Sequence, residues 1–450
     1  MNNSERFFYL RFEMLYRFIQ ILVKIGMRLY YSEVKVKHAE FLEHDGPMII
    51  IANHPNTLVD AWLVGNVCKQ PIYFMAKGTF FSNKLKMTFL RSLNLIPINR
   101  ATESKTRGVS NDASFEECYK ILEQGKTLVI YPEGNSHMER VLRELKSGTA
   151  RIALEAERRN GGKLNLKVVP MGLIYLQAEK FRSSILVNVG EGKGVTHHLE
   201  EFESKTSTAA KKLTEEFRAQ LEKVLVTTQS REQESLIEEL VEGMQSRYRG
   251  EAKGVEEHVE MLKKVRDRIE LLSLMEPWKI EEIQTTLRNI NWRLEKLKIK
   301  SDFLDRKFRS AMFIRQILFS IFFVIIGFPI FVFGFIHNIL PFKLTDLLMP
   351  KLVKNVEYYA PVAILLGLVI YPLNYFGFIF ASGFLVTMPF WAKLVYFFMM
   401  PITGMYAHAF VRYLKHISFK WNYIFLVMNE REGLLELKKQ RQKLYEMIFE

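Results

Sequence analysis

Between residues 316 and 411 the chain carries six charged side chains in 96 positions: Lys343, Asp346, Lys351, Lys354, Glu357 and Lys393. The other 106 of its 112 Asp, Glu, Lys and Arg residues crowd into the remaining 354 positions. A bilayer imposes that depletion, because a helix rising about 1.5 Å per residue needs about 20 apolar residues to cross the hydrocarbon core. The chain therefore joins a soluble part to a membrane-embedded one. Disorder, a collagen-like rod, a small disulfide scaffold and a purely soluble enzyme are excluded.

Residues 316 to 342 run for 27 positions with His337 as the one ionisable group, Tyr358 to Ala392 is a 35-residue uncharged run containing Pro372 and Asn374, and Leu394 to Val411 is a third. Three or four crossings fit, according to whether the long run is one tilted span or a tight hairpin. Basic residues precede the first run (Arg306, Lys307, Arg309, Arg315) and follow the last (Arg412, Lys415, Lys420). The positive-inside tendency thus favours an even number of crossings with both ends cytoplasmic, although Lys343, Lys351 and Lys354 pull the other way. His337 and His408 sit near the ends of their runs, where an interfacial position is expected.

Outside that region the text changes character four times. Residues 1–35 interleave bulky apolar groups with Arg6, Arg11, Arg17, Lys24 and Arg28. That spacing predicts amphipathic helices on the membrane surface, against the alternative of a helix packed on the next domain's core. Lys24 interrupts the apolar stretch Phe18–Ile25 and no small-residue cleavage site follows, so a secretory signal is not expected. Residues 36–200 alternate strand candidates (Met48–Ala52, Ile72–Met75, Leu95–Ile98, Thr127–Tyr131, Leu166–Met171, Ile185–Val189) with helical stretches such as Asp112–Glu123 and Thr149–Arg158, the text of an α/β layer fold. Residues 201–310 show no strand signal. There Val255, Leu262 and Ile269 recur every seven residues, and after Pro277 come Ile283, Leu287, Ile290, Leu294 and Leu297, which predicts a helical hairpin or short coiled coil. The membrane helices (311–412) and a helical tail (413–450) complete the chain.

The net charge of +14 points to anionic headgroups and substrates as partners, and the absence of a dense basic run with stacking aromatics argues against nucleic acid. Two cysteines, Cys68 and Cys118, make neither a disulfide framework nor a metal site. No metal is expected at His197-His198, which has no third ligand nearby in sequence. The glycine-rich stretch 190–194 lacks the Lys-Ser/Thr ending of a phosphate loop, and Ser136-His137 has no nucleophile elbow.

The chemically informative stretch is I-I-A-N-H-P-N-T-L-V-D-A from Ile50, where an apolar strand ends in Asn53-His54-Pro55 and a helix carrying Asp60 follows. Neutral imidazole accepts a proton near pH 7, and a carboxylate on its far nitrogen fixes the tautomer. His54 and Asp60 could form the base half of a triad; equally, the stretch could be a capping turn with an unrelated aspartate.

Downstream come L-I-P-I-N-R (95–100), V-I-Y-P-E-G-N-S (129–136), the segment L-K-S-G-T-A-R-I-A (145–153) and V-P-M-G-L-I-Y (169–175). Together with the first block, over roughly residues 36 to 200, this ordered set resembles the glycerophospholipid acyltransferase superfamily, which comprises lysophosphatidic acid and glycerol-3-phosphate acyltransferases. The resemblance implies an α/β acyltransferase domain with a helix-flanked mixed sheet, here followed by a helical hairpin region and a C-terminal multi-span helical membrane domain. It implies His54 as general base with Asp60 orienting it, and Arg100 gripping the acceptor's phosphate. It further implies Glu133, Gly134, Asn135 and Ser136 as acceptor-binding residues, and Pro170 as bound to the acyl donor or to the integrity of the site. Lys146, beside Gly148, could add positive field near the phosphate.

The implied activity is transfer of a fatty acyl group from acyl-CoA or acyl carrier protein to a hydroxyl of glycerol-3-phosphate. The alternatives are a 1-acylglycerol-3-phosphate or other lysophospholipid acceptor, and a non-catalytic lipid-binding scaffold. No cofactor is implied beyond the thioester donor, and the catalytic domain is expected on the cytoplasmic face of an integral membrane protein. Five residues (Pro55 to Val59) separate His54 from Asp60 where the family's commonest form has four. One extra residue turns a regular helix by about 100°, so the pair survives only if His54 stands in the loop before the helix. Asn135 replaces the usual Thr and Asn94 a frequent Gly, which bears on acceptor identity.

Overall fold

The computed structural model describes residues 18–98, 111–248, 254–304 and 310–449. They fall into two compact units: residues up to Arg231 together with Val353–Ile364, and the remainder.

The first unit opens with helix α1 (18–30), which buries Val23, Met27 and Tyr30 while Phe18, Ile21, Ile25 and Leu29 stay exposed. One face of the helix packs on the domain and the opposite apolar face is open. Then follow β1 (Glu33–Lys37), β2 (Met48–Ala52), α2 (Leu58–Val67), β3 (Ile72–Lys77), α3 (Lys84–Ser92), β4 (Leu95–Ile98), α4 (Asp112–Glu123), β5 (Thr127–Ile130), α5 (Gly148–Arg159), β6 (Lys167–Tyr175), β7 (Ser184–Val189), β8 (Lys193–Gly194), α6 (Leu199–Ser204) and α7 (Thr206–Val224).

One mixed sheet runs in the order β1-β7-β6-β2-β5-β3-β4, with β8 on β6. Strands β2 to β6 are mutually parallel, β7 is antiparallel to β6, and β1 is parallel to β7. Helices cover both faces of a parallel sheet, so its central strand reads as an unbroken apolar run: all five residues of β2 are buried. Strand β1 escapes that pattern. Its E-V-K-V-K has no fully buried residue and lies at the sheet edge, where lysines guard against further pairing. Because β2 and β5 are parallel neighbours, the loops leaving their carboxyl ends share one rim, the customary ligand edge of an open α/β sheet.

The second unit contains α8 (Arg231–Tyr248), α9 (Val255–Met275), α10 (Pro277–Lys296), α11 (Ser310–Leu352), α12 (Tyr359–Ser382), α13 (Phe390–Asn429) and α14 (Arg431–Phe449), with Arg231 and the start of α12 counted in the first. The hairpin broken at Pro277 forms, with Val255, Leu262, Val265, Ile269 and Leu272 buried on α9 and Ile283, Leu287, Ile290 and Leu294 on α10. Its apolar seam is completed by α14, which buries Leu434, Leu437, Leu444 and Ile448 and ties Lys443 to Glu282 at 2.9 Å.

Among the described residues, three helices are long and apolar enough to cross a membrane: Ile317–Leu352, Val356–Ser382 and Phe390–Asn429. Their contacts constrain how they do so. Helices α11 and α13 pair antiparallel, Ser320 meeting Tyr413 and Asn338 reaching the Met400 carbonyl. A side chain at Gly334 would strike the Thr403 backbone, the close approach that small residues allow between spans. His337 is buried among the helices, its ring nitrogens 2.7 Å from the Phe333 carbonyl and from Tyr396 Oη. The hairpin α9–α10 before the first of these helices packs on α14 after the last, Lys443 meeting Glu282 at 2.9 Å. Cysteines introduced at exposed Lys264 and Lys439 are expected to react with an impermeant maleimide from the same side of sealed vesicles. Labelling from opposite sides would refute the pairing.

Candidate active site

Strand β2 delivers Asn53 and His54 to the rim, and the chain turns through Pro55-Asn56-Thr57 before α2 begins at Leu58. Asp60 therefore lies in the first turn of α2 while His54 stands in the loop, which absorbs the fifth intervening residue. Thr57 sits at φ 44°, uncommon for a β-branched residue, and its Oγ1 donates to the Glu357 carbonyl at 3.1 Å. His54 Nδ1 is 2.9 Å from Asp60 Oδ2, the imidazole 20% exposed and the carboxylate fully buried.

Two further donors hold that carboxylate. The Asn56 backbone N–H reaches Oδ2 at 2.7 Å and Tyr175 Oη reaches Oδ1 at 2.7 Å. Burial, then the negative charge of Asp60, pushes the Tyr175 hydroxyl well above its ordinary range, so it remains a donor. Asn56 is fixed in turn: its Nδ2 donates to Tyr31 Oη at 2.9 Å and to the Ala178 carbonyl at 3.0 Å, while Tyr31 Oη donates to the same carbonyl at 3.1 Å. The Asn53 side-chain amide is clamped on the Leu173 backbone, its Nδ2 donating to the carbonyl at 3.0 Å and its Oδ1 accepting the N–H at 2.8 Å.

The loop after β5 forms the other wall. Tyr131 stacks on the His54 ring at 3.9 Å between centroids and 11° between planes, and burial followed by the Asp60 charge raises its hydroxyl too. The His137 N–H donates to the His54 carbonyl at 3.1 Å, joining the two loops. Glu133 points inward: its Oε2 accepts from the Arg143 N–H at 3.0 Å and lies 3.0 Å from His137 Nε2. Burial works against charge on His137, but the adjacent Glu133 carboxylate outweighs it and the imidazole pKa is raised. Gly134 has φ +74°, a backbone shape that favours glycine, and a Cβ there would meet the flexible Lys146 side chain, its Nζ at 2.5 Å. Asn135 is exposed and Ser136 half-buried on the same loop.

Pro170 lies away from this rim, buried inside β6 opposite Ile51 of β2, with its carbonyl accepting from Gly190 N–H at 2.8 Å. It holds a place in the sheet where β7 pairing has not yet begun, which is how a central strand tolerates proline. Arg100 lies outside the described residues. Burial pushes the Cys68 and Cys118 thiols up to about 12, with Glu117 adding to the effect at Cys118, so neither is a ready nucleophile.

Among the described residues, one group of metal-type donors converges. His197 and His198 each place Nε2 on Glu216, at 3.2 and 2.7 Å. The third ligand that local sequence lacked thus comes from α7. Burial opposes ionisation of Glu216, and the two imidazoles outweigh it and lower its pKa. This cluster belongs to the 196–198 turn and α7, apart from the residues around His54.

The residues that hold His54 and Asp60 in place were only partly readable beforehand. Tyr131 lies within the third block and Tyr175 closes the fourth, but their contacts with the pair are long-range. Asn56 lay inside the first block without a role assigned to it, and Tyr31 carried no motif signal of its own.

The family model described as Acyltransferase matches residues 33–174. The 1-acyl-sn-glycerol-3-phosphate acyltransferase of Bacillus subtilis (strain 168) is 27% identical over 139 residues, 31% of this chain and 65% of that protein. Glycerol-3-phosphate O-acyltransferase 1 of Saccharomyces cerevisiae is 32% identical over 83 residues, 18% of this chain and 11% of that protein. The chain thus spans just under two thirds of the first relative's length and about a tenth of the second's. Among solved structures, the 1-acyl-sn-glycerophosphate (LPA) acyltransferase PlsC from Thermotoga maritima aligns with 49% of this chain and 84% of its own at 18% identity and a TM-score of 0.32, too low to weigh.

Proposed function

We propose that residues 33–174, which the Acyltransferase family model matches, form an acyltransferase domain of the glycerophospholipid acyltransferase superfamily, and that the protein transfers a fatty acyl group from acyl-CoA or acyl carrier protein to a hydroxyl of glycerol-3-phosphate. The observation that carries this reading is the 2.9 Å contact between His54 Nδ1 and buried Asp60. With its proton held on Nδ1 by the carboxylate, the imidazole keeps the Nε2 lone pair free to act as base. Nε2 takes the acceptor's hydroxyl proton as the oxygen attacks the thioester carbonyl. The tetrahedral intermediate then expels the thiolate, which recovers the proton from the imidazolium, leaving ester and free thiol. Asp60 stabilises the imidazolium between the two steps. Glu133 Oε1, buried and without a hydrogen-bond partner among the described residues, is the atom available to an acceptor hydroxyl, and Arg100 would take the phosphate.

The second reading takes 1-acylglycerol-3-phosphate as acceptor, favoured by the Bacillus subtilis relative whose name carries that substrate. Purified protein with radiolabelled acyl-CoA and either acceptor, its lipids separated by thin-layer chromatography, distinguishes the two. Labelled lysophosphatidate supports the first, labelled phosphatidate the second, and no product with either donor type turns the domain into a lipid-binding scaffold. The catalytic domain is placed on the cytoplasmic face, where thioester donors are made, in keeping with the basic flanks of the apolar runs.

Tyr31 is a positioning residue in this scheme, acting on the base through Asn56 and Asp60. Tyr31→Phe removes one hydroxyl from the chain of hydrogen bonds and is expected to lower kcat by about tenfold with both KM values unchanged. An unchanged kcat would show that Asn56 needs no such support.

A further inference from the structure

We propose that α3 and the turn before it, residues 78–92, form a second membrane contact of the catalytic domain, seated on the anionic surface of a phospholipid leaflet. The turn Gly78–Phe81 leaves the carboxyl end of β3, on the same rim as the loops that carry His54 and Glu133. Helix α3 is well formed, its Asn83 side chain capping the Lys86 N–H at 2.8 Å. Yet it buries no residue. Leu85 is 84% exposed and Phe80 52%, with Met87 and Phe89 also open. A helix on a water-soluble surface gains nothing from holding leucine, methionine and phenylalanine outward, since each Å² of apolar surface left in water forgoes about 25 cal/mol.

Charge decides what covers it. From Ala61 to Thr102 the chain contains no Asp or Glu, but does contain Lys69, Lys77, Lys84, Lys86, Arg91 and Arg100. In the order K-L-K-M-T-F-L-R, basic and apolar side chains alternate along α3. Leu85 and Phe89, four residues apart, share one face. Flanking lysines can lay their stems along that face and keep their ammonium groups at phosphate level. On α3 itself, Arg91 forms an exposed pair with Glu117 at 3.4 Å, and before the turn Lys69 pairs with Glu43 at 2.8 Å. A second copy of this helix would meet it with like charge, and an uncharged groove would leave the lysines without partners; an anionic leaflet satisfies both parts. The contact would put the rim with His54 at the lipid surface whichever acceptor the site takes.

The test uses the full chain in nanodiscs, in a Cys68→Ser background that leaves buried Cys118 as the one native thiol. An environment-sensitive fluorophore is attached at Leu85→Cys or, as a control, at exposed Glu123→Cys on α4. In discs containing phosphatidylglycerol, the label at 85 is expected to emit to the blue of the control and to be quenched about twofold or more by doxyl-labelled lipid. Pure phosphatidylcholine, or Lys84→Glu with Lys86→Glu, is expected to weaken both effects. Emission at 85 matching that at 123 would overturn the proposal. So would a blue shift that doxyl lipid fails to quench, which would assign the face to a protein partner.

Discussion

His54→Ala is expected to reduce acyl transfer by at least about 10²-fold, and by up to about 10⁴-fold, the usual range for loss of a positioned general base. The side chain is part-exposed at the rim and stacks on Tyr131, so its removal opens a small surface gap rather than a hole in the core. The variant should therefore fold, bind both substrates and fail at the proton transfer: kcat collapses while the acceptor KM stays near wild type. The measurement is initial rate against acceptor concentration at saturating donor. Activity within tenfold of wild type would remove His54 from the mechanism. It would leave the membrane contact of α3 untouched, because that is read by fluorescence in lipid.

Asp60→Asn should be nearly as damaging for a different reason. The carboxylate accepts from the imidazole, from the Asn56 backbone and from Tyr175, three donors converging on two buried oxygens. An amide keeps the shape but offers one acceptor oxygen in place of two. If its NH₂ faces His54, the ring proton is driven to Nε2 and the lone pair points away from the acceptor. A fall in kcat of about 10²- to 10⁴-fold is expected, with a thermal midpoint close to wild type. Asp60→Ala is the poorer probe, since leaving two or three buried donors unpaired costs about 1–3 kcal/mol each and confounds folding with chemistry. Equal activity of Asp60→Asn and wild type at every pH would mean that the contact orients nothing.

In both variants the decisive residue was legible as a string while its partners were not. The N-H-P-N-T-L-V-D block shows a histidine after a strand and an aspartate on the next helix. Its six-residue separation is local, so loop and helix geometry bring the two together without help from the rest of the chain. Tyr175 lies 115 residues from Asp60 and Ala178 lies 122 from Asn56. Such contacts exist only because β6 pairs in parallel beside β2, a register that no local pattern contains. Pro170 was legible as a motif residue, while its place inside β6 opposite Ile51 of β2 came from the sheet.

Local chemistry also explains which elements could be read. The burial of β2 on both faces makes it an unbroken apolar run, the turn of α10 begins at a proline, and the heptad of α9 repeats its buried positions, so each announces itself within about ten residues. Edge strand β1 was not read although E-V-K-V-K alternates with a strand's period of two, because only five residues carry the pattern and its one sheet neighbour, β7, lies about 150 positions away. In the membrane region, composition alone dictated that the chain enters a bilayer, since a run of uncharged residues this long has no other stable solvent. Which helices pair, and that the two flanks meet, depended on α14 returning to the α9–α10 hairpin and on glycines letting α11 approach α13. Those are contacts between residues about 60 to 180 positions apart, which only tertiary packing selects.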